Sequence, residues 1–207
     1  MNVGLRKSAG SAVAAIVVVA FGLLVGAQPS AAWSSAYPSG RPAGSFDGDG
    51  TFVVGSEIRP GTYVSTPSDS TGGYWERLRC ATGDLDCILA NDNVEGQTFV
   101  TILASDKFFN TSRMNTWRPA STIRPAKPAS RFSGDGTYRV GVDITPGTYR
   151  STPTDSLGGY WQRLSCVTGV LDCILANDNV EGRAIVTILP GDKYFSSSRM
   201  HTWVKAR

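Results

Sequence analysis

Gly159–Gly182 reads GYWQRLSCVTGVLDCILANDNVEG, and 86 residues earlier Gly73–Gly96 reads GYWERLRCATGDLDCILANDNVEG. Each copy carries a Tyr-Trp pair, an Arg, two Cys and an acidic-amide run at the same spacing. Extended outward, residues 46–117 align on 132–203 without a gap, with 50 of 72 positions identical. That identity marks a duplicated domain. A unit of ~70 residues is near the lower limit for an independent core, so a covalent staple in each copy is expected.

Within a copy, turn signals recur every 8–12 residues. Asp49-Gly50 and Asp135-Gly136 each precede a strand, and Pro60-Gly61 and Pro146-Gly147 read as type II turns. Between them the Thr, Tyr, Val, Ile and Trp content lacks helical period and favours strands. The fold class expected is all-β: two tandem small β-sandwich or barrel-like domains, each with one hairpin disulfide. Asn91–Gly96 reads as a further turn, because Asn and Asp tolerate left-handed backbone.

Four Cys in an exported chain favour disulfides, and four allow three pairings. Because Cys80 and Cys87 recur as Cys166 and Cys173, pairing within each copy is expected. Placing Gly83-Asp84 and Gly169-Val170 at the centre of two-residue type II′ hairpins sets each Cys opposite its partner, at a separation a disulfide bridges. Zinc is disfavoured by the six-residue interval and the lack of a repeated His.

Residues 1–32 read as a secretory signal: Arg6 and Lys7, an apolar run from Ala12 to Val25, then Ser30 and Ala32 before Trp33. The run is shorter than the ~18 residues of a membrane span, although an uncleaved anchor is the competing reading. Beyond it the chain holds 18 basic and 17 acidic groups, a net of +1. Residues 46–117 carry ten acids against five bases, and 118–131 carry four bases and no acid. Such a distribution is not that of a nucleic-acid binder, which gathers its cations on a folded face. The organisation expected is a flexible lead-in over 33–45, repeat 1 over 46–117, a Pro-rich basic spacer over 118–131, and repeat 2 over 132–207.

Val54-Gly55…Tyr63, Tyr74-Trp75…Leu78 and Ile88…Asp92, closing at Trp117, form a string that returns as Val140-Gly141…Tyr149, Tyr160-Trp161…Leu164, Ile174…Asp178 and Trp203. It resembles a repeat of small exported actinobacterial proteins, secreted β domains without an assigned activity. Many members of that family have Cys at the places occupied here by Gly73, Met114, Gly159 and Met200. This chain carries its Cys pairs elsewhere, so the resemblance implies the fold and not the disulfide map.

Chemistry is sparse. His201 is the one His, with Asn115 at the matching place in repeat 1, so no catalytic base is shared by the copies and no enzymatic role is expected. The repeated carboxylates sit beside Gly, Asn or Ser, where they cap backbone. Asn91, Asp92, Asn93 and Glu95 offer oxygen ligands, but not at EF-hand spacing, and no metal or cofactor is expected. The candidate ligand platform is aromatic: Tyr74, Trp75, Arg77 and Trp117, with Tyr160, Trp161, Arg163 and Trp203. Adjacent strand residues face opposite ways, so one ring of each Tyr-Trp pair faces outward unless both sheet faces are covered, the Trp being the natural core member. The function expected is a secreted, monomeric, non-enzymatic binding module for a cell-envelope glycan or another extracellular polymer, with no nucleic-acid or membrane partner. The alternative is an inhibitor-like protein that presents the hairpin tips Ala81–Asp86 and Val167–Asp172 to another protein.

Overall fold

A computed structural model describes residues 44–124 and 127–206. The expected signal and residues 33–43 of the lead-in lie outside them. Repeat 1 contains β1 (Gly50–Val53), β2 (Gly61–Ser65), β3 (Gly73–Leu78), β4 (Ile88–Val94), β5 (Thr98–Ile102), β6 (Phe108–Ser112) and β7 (Arg118–Pro119). Repeat 2 contains β8 (Arg131–Phe132), β9 (Gly136–Arg139), β10 (Gly147–Ser151), β11 (Gly159–Leu164), β12 (Ile174–Val180), β13 (Ala184–Ile188), β14 (Tyr194–Ser198) and β15 (Trp203–Lys205).

Each repeat is built from two antiparallel sheets. Repeat 1 has the orders β1-β6-β3-β4 and β5-β2-β7; repeat 2 has β9-β14-β11-β12 and β13-β10-β15-β8. Alternation along the strands turns one set of side chains inward from both sheets, and these form the core. In repeat 1 that core holds Trp75 and Phe109 from one sheet, Tyr63, Val100 and Ile102 from the other, and Phe46 and Trp117 across the end. Phe109 meets Trp117 edge-on at 5.4 Å between ring centroids, and Phe195 meets Trp203 likewise at 5.3 Å. Trp117 Nε1 donates to Thr111 Oγ1 at 3.1 Å and Trp203 Nε1 to Ser197 Oγ at 3.0 Å, which satisfies the one polar atom of each buried indole.

Gly73 and Gly159 each stand against a buried methionine. A Cβ on Gly73 would lie 2.1 Å from Met114 Sδ, and one on Gly159 would lie 2.2 Å from Met200 Sδ. The buried thioether fills the room that a second side chain needs, so only glycine fits beside it.

Four expectations are corrected. The Cys segment is not a two-residue hairpin: Asp84 is extended (φ −73°, ψ 143°) and Leu85–Cys87 form a 3₁₀ turn. The ladder ends at Leu78 opposite Ile88, and the disulfide closes a loop just beyond it. The Asn91–Gly96 turn is also displaced, since Asn91, Asp92 and Asn93 pair with Glu76, Trp75 and Tyr74 inside β4; the ladder outweighs local turn preference. At Pro60-Gly61 the glycine opens β2, and the turn falls earlier, where Gly55 (φ +95°) donates to the Ile58 carbonyl at 2.7 Å. Finally, 118–131 is not a free spacer. Its ends pair as β7 on β2 and β8 on β15, and Arg139 donates to the Ala120 and Ile123 carbonyls at 2.9 Å each. The described residues form one compact unit, with a third apolar cluster built from both repeats.

Candidate functional site

The Cys-x6-Cys loop is the most distinctive local structure. Cys80–Cys87 and Cys166–Cys173 are both bonded, with Cα atoms 5.1 and 5.0 Å apart. In repeat 1 Arg79 N–H donates to the Cys87 carbonyl at 2.8 Å, as Ser165 does to Cys173 in repeat 2. Thr82 and Thr168 set their hydroxyls 3.1 and 3.0 Å from Cys87 and Cys173 Sγ. A bond across eight residues restricts the unfolded chain by only ~2–3 kcal/mol, and its further effect is to hold a short tip rigid.

Under each loop lies a repeated ion pair. Arg77 grips Asp106 through Nε and Nη2, both at 2.7 Å, and Asp106 also accepts from Leu103 N–H at 2.8 Å. Arg163 grips Asp192 the same way at 2.7 and 2.9 Å, and Asp192 accepts from Leu189 N–H at 2.7 Å. Such forked, fully hydrogen-bonded pairing is what permits a guanidinium inside a small domain. Asp192 raises the pKa of Arg163 above its usual value, which keeps the guanidinium charged.

The two loops sit in different surroundings. That of repeat 2 is docked on repeat 1: Thr101 N–H donates to the Val167 carbonyl at 2.8 Å, and Arg77 Nη1 donates to the Thr168 carbonyl. Gly169 (φ +78°) lies flat on Trp75, so that a Cβ there would be 2.8 Å from Trp75 Cη2 and 2.9 Å from Ala90 Cβ. Beside the loop, Gln97 and Thr137 exchange two hydrogen bonds at 2.6 and 3.1 Å. Phe99 packs on Tyr194 at 5.7 Å, with the Arg139 guanidinium 5.2 Å over its ring. The loop of repeat 1 has no such seat: Ala81 through Asp86 are exposed, and a Cβ on Gly83 would touch nothing within 4 Å.

This geometry disperses the aromatic platform read from the sequence. Trp117 and Trp203 are 0 % exposed and belong to the two domain cores. Trp75 and Arg77 are buried by the partner repeat, whereas Trp161 and Arg163 are half-buried because no repeat covers them. Tyr74 and Tyr160 are the outward members of their pairs and are engaged along the strand: Tyr74 donates to Glu76 at 2.8 Å and accepts from Asn91 at 3.1 Å, and Tyr160 pairs likewise with Gln162 and Asn177. Burial first, and the Glu76 bond second, push the Tyr74 phenol up to about 12; Tyr160 is raised by burial. The eight residues do not converge on one surface. Asn91, Asp92 and Asn93, weighed as oxygen ligands, alternate across β4, so that consecutive side chains diverge.

Phe99, Gln97, Thr101 and Arg139 are interface residues that sequence reasoning missed, whereas Val167 and Thr168 lie in a tip that it singled out for contact with another protein. A signal was present: 64, 81, 97, 98 and 99 are among the places where the copies differ. Substitutions between duplicated domains collect where one copy touches something the other does not. Two small clefts at this junction share Asp92, Thr98, Thr137, Gln162 and Ser196. There burial, and secondarily Glu95, push the Asp92 carboxyl up to about 7 although its side chain still reaches solvent.

No curated protein and no solved structure matches the chain. A family model described as the Rv1352-like extracellular domain matches it twice, over residues 44–118 and 130–204. Two matched copies, each a disulfide-closed β domain of one architecture, make this chain a tandem member of the Rv1352-like extracellular domain family, and its place is outside the cell.

Proposed function

We propose that this extracellular tandem-repeat protein is a non-enzymatic interaction module whose working part is the free disulfide loop of repeat 1, Ala81–Asp86, offered to a protein partner. The observation that carries this reading is that the same loop in repeat 2 is seated in a protein surface, its tip glycine on an indole and two of its carbonyls taking hydrogen bonds from repeat 1. A short rigid tip loses little conformational freedom on binding, which suits recognition. By the seated twin, Ala81 is the contact point, since Val167 at that place is 6 % exposed, while Leu85, like the 82 % exposed Leu171, stands at the rim. Polymer binding through aromatic rings is the weaker reading, because three of its four Trp are buried in the described structure.

A photo-crosslinking residue at position 85 tests the proposal on the secreted protein in its native setting. The expected result is an adduct to a protein, lost when Ala81 and Asp84 are both replaced by arginine. Adducts to wall polymer alone, or co-sedimentation with purified wall that survives the tip substitutions while no protein adduct forms, overturn it.

A further inference from the structure

The contact between the repeats is head-to-tail. Repeat 1 contributes a socket (Trp75, Arg77, Phe99, Thr101) and repeat 2 contributes a plug, the loop Cys166–Cys173 with the neighbouring edge of β9. These are different surfaces of one repeated domain, so the contact is heterologous and does not exhaust itself. One plug, on repeat 1, and one socket, on repeat 2, are left uncovered by the described residues. We infer that a second copy of this chain is their occupant: the Cys80–Cys87 loop of one molecule enters the Trp161–Arg163 socket of the next. The inference rests on the loop reading above and names its partner; it departs from the monomer expected of the sequence.

The uncovered socket keeps the parts that the covered one uses. Trp161, Ala176 and Thr187 stand where Trp75, Ala90 and Thr101 stand, and Arg163 is held by Asp192 in the same fork. Nη1 of Arg163, whose counterpart in Arg77 donates to the docked loop, makes no hydrogen bond within the described residues. Ile185 takes the place of Phe99 and is 60 % exposed against 3 %, a large apolar side chain on an outer strand with none of the described residues packed over it. On β5 the equivalent edge is closed by the Val167 carbonyl; β13 leaves its edge open, a standing invitation to another chain.

The plug fits in kind. Cys80, Thr82, Gly83, Leu85, Asp86 and Cys87 repeat the docked loop, and Gly83 (φ +83°) keeps the tip that must lie flat on an indole. Charge favours the pairing. The socket of repeat 2 has Arg150 and Arg183 where repeat 1 has Val64 and Gln97, and the incoming repeat carries ten acids against five bases. Ala81 in place of Val167 shortens the apolar anchor, and the contact lacks the tether that raises effective concentration inside one chain. The junction between molecules is therefore weaker than the internal one and depends on concentration.

Sedimentation velocity on the secreted protein across a concentration series, with Ala81→Arg and Ile185→Asp, tests this. Both residues are exposed and outside the hydrophobic clusters, and near-UV circular dichroism checks that each variant is folded. The wild type is expected to form a ladder of oligomers, and each variant alone to lose association by a factor of roughly ten or more. An equimolar mixture is then expected to give a species of twice the monomer mass and nothing larger, since Ala81→Arg keeps its socket and Ile185→Asp keeps its plug. A wild type that stays monomeric, a folded variant that still associates as the wild type does, or a mixture that stays monomeric overturns the inference. If the residue-85 crosslink captures a different protein while the wild type sediments as a monomer, the loop reading stands and self-association falls.

Discussion

Phe99 is 3 % exposed in repeat 1 and Ile185, at the same place in repeat 2, is 60 % exposed. Around them the contrast continues: Trp75 is buried and Trp161 half-buried, and Arg77 and Asp106 are 3 % and 0 % exposed in their side chains against 18 % and 2 % for Arg163 and Asp192. At the loops the contrast reverses, with Val167 buried and Ala81 open. Two domains with one fold and 50 of 72 shared residues thus differ chiefly in which of their two faces is covered. The lesson is that burial here belongs to the pair of domains and not to the domain.

The sharpest way to break the comparison is at the shared cores, where the copies should respond alike. Trp117→Ala and Trp203→Ala each remove a wholly buried indole, and a loss of about 3–5 kcal/mol from each is expected in denaturant unfolding. At the ion pairs the copies should part. Asp106→Asn strands Arg77 with no solvent, for about 3–5 kcal/mol, whereas Asp192→Asn leaves an arginine that water reaches and costs clearly less. Parallel chemical denaturation of the two variants reads the difference.

The loop glycines isolate the junction itself. Gly83 and Gly169 both have left-handed backbone, so alanine carries the same ~1 kcal/mol of backbone strain at either. At Gly169 the new methyl also strikes Trp75 and Ala90, adding about 1–3 kcal/mol and shifting tryptophan fluorescence, which Gly83→Ala leaves unchanged. The smallest effect is on pH. Asp92 at the junction is raised to about 7, above its unfolded value, so the folded state holds its proton more tightly. The stability it contributes is complete below pH ~4 and is lost as pH rises through 7; thermal melts of Asp92→Asn should show a flatter pH profile over that window, by a small margin because the side chain reaches solvent.

Much of this was legible in the chain. The all-β class, the duplication and the within-copy disulfides follow from features close in sequence or repeated at fixed spacing. Cys80 and Cys87 close on each other whatever else the chain does. The errors fell where a local preference met a longer-range one. Asn91-Asp92-Asn93 is good turn chemistry, yet β3 offers it a full ladder, and the ladder wins. Residues 118–131 have a linker's composition, yet Arg139 holds Ala120 and Ile123, and Arg118-Pro119 and Arg131 pair into sheets. The aromatic platform failed for the same reason: exposure of Trp117 or Trp75 is a property of packing, and composition does not report it.

Sequence alone determined that there are two copies of one disulfide-closed β domain, because strand-favouring composition and cysteine spacing are written within each seventy-residue stretch and then repeated. Only the tertiary structure decided that one loop is seated and its twin is free. That choice rests on hydrogen bonds and packing between residues such as Thr101 and Val167, or Arg77 and Thr168, far apart in the chain and brought together when one domain docks on the other.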